Sequence, residues 1–351
     1  MNTSDGGVYD KGPDTGVTRN GLFLDEARFS RWMEPHPILL PGLSVVVPVY
    51  NSQNSIPLLI KRLEPVLAGL SKMFEVVLVN DCSQDLSWDI ILSITKSHEW
   101  VRGINLMRNY GQHNALLCGI RAARHEVVVT LDDDLQNPPE EIPKLVSRLA
   151  QGFDVVYGTP QSQQHGFLRD FASTLTKMAL QSAMGAETAR KVSAFRVIRT
   201  KIRSAFSHHQ GPFVSIDVLL TWGTARFSTV KVRHEERRIG NSGYSVGKLI
   251  RHAMNMMTGY STFPLQLASI IGFVFTLFGM AVLGFVLLRF MLQGSPVAGF
   301  PFLASLISIF AGAQLFSLGV IGEYLARIHF RTMDRPPYVI RDMAEHGDIR
   351  I

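Results

Sequence analysis

The sequence predicts an α/β domain built on a mainly parallel sheet, followed by an interfacial helix and two transmembrane helices. Two observations carry this. From Leu43 onward, short β-branched runs alternate with longer segments of helical pattern, the signature of a sheet covered on both faces. Beyond residue 265 the composition changes to two apolar runs long enough to cross a hydrocarbon core about 30 Å thick.

The elements come in order along the chain. Residues 1–42 are rich in Gly, Asp, Thr, Arg and Pro, lack the apolar run of a signal peptide, and read as an N-terminal extension with no assigned chemistry. Strands are expected at Leu43–Tyr50, Phe74–Asn80, Val101–Met107, Glu126–Leu131 and Phe153–Tyr157, within an α/β domain spanning 43–244. In such a sheet, ligands sit at the C-terminal strand ends. Over 245–262, Val246, Leu249, Ile250, Ala253, Met254 and Met257 recur at helical spacing, with Lys248, Arg251 and His252 between them. This pattern suits a helix in the membrane interface, and a surface helix of the α/β domain is the other reading.

Leu267–Leu288 is uncharged, and Leu303–Gly322 is interrupted only by Gln314 and small hydroxyls, which places spans at 265–291 and 302–325. The Gln293–Phe302 connection is uncharged, whereas Arg226–Arg251 and Arg327–Arg341 are strongly basic. The positive-inside rule therefore puts both termini, the α/β domain and a tail over 326–351 on the cytoplasmic side, as a multi-pass protein.

Composition narrows the function classes. At 46% hydrophobic over 351 residues the chain is too apolar for a disordered protein, and its net charge of +6 comes without a dense Lys/Arg block interleaved with aromatics, so no nucleic-acid partner is expected. Cys82 and Cys118 make neither a disulfide framework nor a zinc motif.

Asp132, Asp133 and Asp134 come directly after the apolar run VVVTL. Strand alternation would let Asp132 and Asp134 converge and turn Asp133 away, with Gln136 adding a neutral oxygen. Oxygen-only ligation favours Mg²⁺ or Mn²⁺, and a solvated turn is the competing reading. Asp81 directly follows the run FEVVLVN, where a carboxylate can meet a nucleobase or ribose or else cap the next helix. No dinucleotide fingerprint stands after a strand, and no P-loop motif occurs.

Taken together and in this order, VVPVYN (Val46–Asn51), NDCSQD (Asn80–Asp85), RNYGQH (Arg108–His113) and LDDDLQNPP (Leu131–Pro139) resemble family 2 glycosyltransferases. With two C-terminal spans ending in GEYLARIHFRTMDRPPY, the chain resembles the polyprenyl-phosphate transferases of that family over roughly residues 43–341. The resemblance implies the Rossmann-like GT-A fold. It also implies a nucleotide site at Pro48, Tyr50, Asn51, Asp81 and Asp132, and a metal site at Asp132, Asp134 and Gln136. It puts an acceptor-phosphate site at Arg169, Ser193, Arg196 and Arg238, with Asp134 and Arg196 as catalytic groups. Two departures stand out. Gly243 replaces a family Lys, and Arg190 and Lys191 stand near where many relatives carry an Asp before S-x-F-R, so no general base is assigned. His113 reads equally well as structural or catalytic.

The expected activity is metal-dependent, inverting transfer of one sugar from a nucleotide-sugar, a UDP-sugar by family precedent, to undecaprenyl phosphate, by a protein for which a homo-oligomer is compatible. Transfer to another acceptor and a catalytically silent membrane scaffold are the alternatives, and the sequence does not name the sugar.

Overall fold

A computed structural model of the chain describes residues 40–160, 192–211, 214–235, 263–293, 300–333, 335–346 and 348–350. Residues 1–39 of the N-terminal extension, the proposed interfacial helix at 245–262, Arg169, Arg238 and the segment around Gly243 lie outside the described residues.

The first half of the sheet forms where the apolar runs predict it. Strands β1 (Leu43–Val49), β2 (Phe74–Asn80), β3 (Val101–Leu106), β4 (Val127–Thr130) and β5 (Val155–Pro160) are separated by helices α1 (Ile56–Leu70), α2 (Ser87–Ser97), α3 (Gln112–Ala122) and α4 (Ile142–Ala150). Strand β1 is buried along its whole length, as a strand with helices on both faces must be. In α1, Ile56, Leu59, Ile60, Leu63, Leu67 and Leu70 form one buried stripe at helical spacing. Beyond these lie β6 (Arg196–Arg199), α5 (Ile216–Gly223), β7 (Phe227–Val232), two long helices α6 (Phe263–Gln293) and α7 (Phe300–Thr332), and β8 (Ile340–Glu345) with β9 (Asp348–Arg350).

The strand order is β7-β5-β6-β4-β1-β2-β3-β8-β9. Strands β1 to β4 are mutually parallel where they pair, while β6 runs antiparallel between β4 and β5. The chain moves outward from β1 through β2 to β3, then crosses back to place β4 on the other side of β1. That reversal opens a crevice beyond the C-terminal ends of β1 and β4.

The tail expected over 326–351 is corrected by the structure. Strand β8 pairs antiparallel with β3, from Gly103 opposite Ala344 to Leu106 opposite Ile340, and β9 pairs with β8 in turn. Strands β8 and β9 are thus part of the same sheet as β1 to β7. An ion-pair cluster holds β8 there: buried Arg102 donates to Glu75 at 2.8 Å and to Glu345 at 3.0 Å, and Arg124 reaches Glu345 at 2.7 Å. Because β8 docks through backbone pairing and charge, IRDMAE carries no alternation of apolar residues that could have announced a strand.

Helices α6 and α7 are 31 and 33 residues long, and within them Leu265–Val286 and Ile309–His329 are long and apolar enough to cross a membrane. Neither is a core helix, since Phe273, Met280 and Leu315 along them are each more than half exposed. They pack on each other through Phe310, whose ring lies 5.9 Å from that of Phe275. A Cβ at Gly279 would come within 2.9 Å of the Phe310 ring, so glycine permits this approach.

Candidate active site

A cleft of about 550 Å³ opens at the crevice. Pro48 and Tyr50 line it from the end of β1, Asp81 from the end of β2, and Asn109, Gly111 and Gln112 from the loop entering α3. Asp132, Asp133, Asp134 and Gln136 line it after β4, and Ala194 before β6. Among the described residues, the three non-glycine residues with positive φ all lie just past strands that lead here: Asn51 (54°) after β1, Cys82 (57°) after β2 and Leu135 (61°) after β4. Backbone held in this disfavoured region is characteristic of sites whose geometry is imposed by function.

Asp81 is buried, and its carboxylate accepts the N–H groups of Tyr110 at 2.7 Å and Gly111 at 2.8 Å. Burial raises its pKa above the ordinary value, against the lowering effect of those two donors. Gly111 sits at φ +91°, which only glycine adopts without cost, so Asp81 and Gly111 together shape the far wall. Asp81 does not cap the next helix. Leu86 stands at the N-cap of α2, and Asp85 before it accepts the Ser87 N–H at 3.0 Å and the Gln53 N–H at 3.1 Å.

Strand alternation does not govern the acidic triplet. Strand β4 ends at Thr130, and the chain then turns, so Asp132, Asp133 and Asp134 all face the cleft and the expectation that Asp133 points away is corrected. Asp132 accepts the side-chain amide of Gln112 at 2.6 Å, and Asp134 accepts the Gln136 N–H at 3.1 Å. Asp133 reaches across to the Tyr50 N–H at 3.4 Å, tying the triplet to the end of β1.

Burial pushes the Asp133 carboxyl up to about 6, with the Asp134 charge adding to it and hydrogen bonds from Ser52 and Tyr50 opposing it. A pKa raised in the fold means that the native state binds the extra proton between about pH 4 and 6, so this group's contribution to stability declines as pH rises through that window. Asp133→Asn should therefore stabilise the protein relative to the parent above pH 6 and not below pH 4. Melting curves across that range in chelator test this, and parallel curves for the two proteins would refute it.

Among the described residues, no group of three or more His, Cys, Asp or Glu side chains is arranged as a ready metal cage. The donor set still fits a hard divalent ion. Mg²⁺ is commonly held by one or two carboxylates plus substrate phosphates and water, and here carboxylates sit on one turn of an open cleft.

The other expected residues divide. Asn51 adjoins the cleft without lining it, its side-chain oxygen accepting the Gln84 N–H at 2.8 Å. Ser193 lies beside Ala194, its hydroxyl accepting the Phe195 N–H at 3.3 Å. His113 is half-buried behind the cleft, with Nδ1 3.4 Å from the Ile216 backbone nitrogen, which favours its structural reading.

Arg196, expected to meet an acceptor phosphate and act in catalysis, is only 1% exposed. Its guanidinium is paired with Asp217 of α5, which also accepts the Tyr157 hydroxyl at 3.1 Å. The expectation is corrected for a physical reason: Arg196 belongs to strand β6, opposite Thr130 and Tyr157, and its charge is already neutralised inside the domain. Gln112, given no role by the sequence, lines the cleft and donates to Asp132.

Residues 44–210 match the family described as Glycosyl transferase family 2. The chain is 36% identical over 303 residues to an undecaprenyl-phosphate 4-deoxy-4-formamido-L-arabinose transferase of Yersinia enterocolitica, covering 85% of this chain and 92% of that one. The chain belongs to glycosyl transferase family 2. A transferase of the same description from Pseudomonas aeruginosa is also 36% identical, over 316 residues, covering 88% of this chain and 91% of its own length. Among solved structures, glucosyl-3-phosphoglycerate synthase from Mycobacterium tuberculosis matches with a TM-score of 0.48 at 17% identity, covering 62% of this chain and 78% of that one. The mixed, mostly parallel sheet of this family 2 enzyme is of the GT-A type, followed by two apolar helices that could span a membrane.

Proposed function

We propose that this glycosyltransferase moves one sugar from a nucleotide-sugar, a UDP-sugar by preference, to undecaprenyl phosphate or a close polyprenyl phosphate at the cytoplasmic face of the inner membrane. The observation that carries this is an acidic cleft at the sheet's switch point in the same chain as an apolar helical hairpin, in a protein matched along most of its length by undecaprenyl-phosphate sugar transferases.

The nucleotide would lie along Pro48 and Tyr50, against the loop that Asp81 fixes. Asp132 and Asp134, with Gln136, would hold Mg²⁺ or Mn²⁺, which when bound neutralises charge on the departing diphosphate. A phosphate monoester of the lipid is ionised at pH 7, so one of its oxygens attacks the anomeric carbon directly. The new C–O bond forms opposite the bond to the diphosphate, which breaks with its electron pair leaving on the nucleoside diphosphate, and configuration inverts. No proton has to be removed from the nucleophile, so no general base is required. The work of the chain is to orient two anions, which suits cations and a dry cleft. Arg169, Arg238 and Ser193 remain the proposed contacts of the acceptor phosphate, and 245–262 the proposed interfacial helix that brings the lipid headgroup to them.

Sealed membrane vesicles test activity and orientation at once. Inverted vesicles supplied with polyprenyl phosphate and labelled UDP-sugars should carry label into a lipid heavier by one sugar, while right-side-out vesicles should not. Labelling from the outside of right-side-out vesicles would overturn the orientation. No labelled lipid with either UDP- or dTDP-sugars would overturn the reaction and favour a silent scaffold.

A further inference from the structure

One row of the sheet is polar from β2 to the C-terminal strand. Asn80 stands opposite Asn105, and Asn105 opposite Asp342. The Asn80 amide donates to Asn105 Oδ1 at 2.9 Å, and the Asn105 amide donates to Asp342 Oδ2 at 2.9 Å. At the other end, Asn80 Oδ1 accepts the Ser83 hydroxyl at 2.6 Å, and Ser83 Oγ accepts the Asn51 N–H at 3.0 Å. Asn51 in turn receives the Gln84 N–H through its side chain.

Every bond from Asn51 to Asp342 runs in the same sense. An amide can present either its carbonyl or its NH₂ to a neighbour, so two asparagines side by side do not choose a direction. An ionised carboxylate only accepts. Asp342 therefore forces the NH₂ of Asn105 toward itself, which turns the Asn105 carbonyl to Asn80 and leaves the Asn80 carbonyl facing Ser83. Both asparagines are buried, so a reversed amide would strand polar groups away from water.

We infer that Asp342 is a positioning residue for the loop pair Tyr50–Asn51 and Asp81–Gln84, acting through Asn105, Asn80 and Ser83 from the strand beyond the membrane hairpin. The inference rests on the reading of these loops as the nucleotide site. The second anchor of β8, the contact of Arg102 and Arg124 with Glu345, lies at the other end of the strand and does not touch the row. This separates orientation of the loops from mere docking of β8.

The test uses the full chain in lipid nanodiscs, with hydrogen exchange at the Asn51, Ser83 and Gln84 amides and binding of UDP and of dTDP as probes. Asp342→Ala should speed exchange at those amides about tenfold and weaken binding of the preferred nucleotide by a similar factor, while Met343 and Ala344 stay protected. Asp342→Asn, whose oxygen can still accept from Asn105, should recover part of both. Glu345→Gln should loosen β8 and leave the loop amides as in the parent. Unchanged loop exchange in Asp342→Ala, or an equal rise in Glu345→Gln, would overturn the inference. If the parent binds neither nucleotide while its loop amides still respond to Asp342→Ala, the positioning stands and the nucleotide reading fails.

Discussion

Asp134→Asn should reduce sugar transfer by at least about a hundredfold with Mg²⁺ or Mn²⁺ present. Loss of a partner that only orients a metal ligand typically costs ten- to a hundredfold, and Asp134 is proposed as a direct ligand beside Asp132. The substitution is chemically mild: asparagine keeps an oxygen that can accept the Gln136 N–H, so the turn and its positive-φ Leu135 should persist. Melting temperature should accordingly stay near that of the parent, and raised Mn²⁺ should restore part of the rate. Excess EDTA should abolish transfer by the parent. Full activity in chelator would remove the metal from the proposal, and an unfolded variant would move Asp134 from chemistry to structure.

Arg196→Ala should act on stability first. It takes the guanidinium away from a buried Asp217 that still accepts the Tyr157 hydroxyl, and breaking a buried pair from one side costs about 3–5 kcal/mol, enough to consume much of a domain's stability. Exchanging both partners for apolar residues, Arg196→Met with Asp217→Leu, should return most of that loss, because the desolvation of both charges disappears with their attraction. Denaturant unfolding of the single and double variants checks this. A single variant that keeps parental stability and fails only in its dependence on polyprenyl phosphate would restore Arg196 to the acceptor site.

The legibility of each element depends on the kind of interaction that made it. Strands β1 to β4 are held by apolar burial, and runs such as LSVVVPV and FEVVLVN are visible in any window of sequence. The acidic turn was legible as a site for the same reason, since a buried strand must deliver its next residues to the sheet edge. Its internal geometry was not, because the alternation that would separate Asp133 from its neighbours stops at Thr130. The fate of Arg196 depends on Asp217, 21 residues later on another element, and no local pattern links them. Strand β8 depends on Arg102 and Asn105, whose partners Glu345 and Asp342 lie 243 and 237 residues further along.

That last separation bears on how the protein is made. Asn105 and its partner Asp342 are 237 residues apart, and at roughly 5–20 residues per second the ribosome needs tens of seconds to go from one to the other. Throughout that interval the edge of β3 has no neighbour to pair with, and a bare strand edge recruits other chains. Both apolar helices are synthesised before the segment that covers it. The β3 edge can therefore be covered only after both apolar helices have been made, and a chain that fails to bring β8 back would keep that edge open to aggregation and to proteolytic removal.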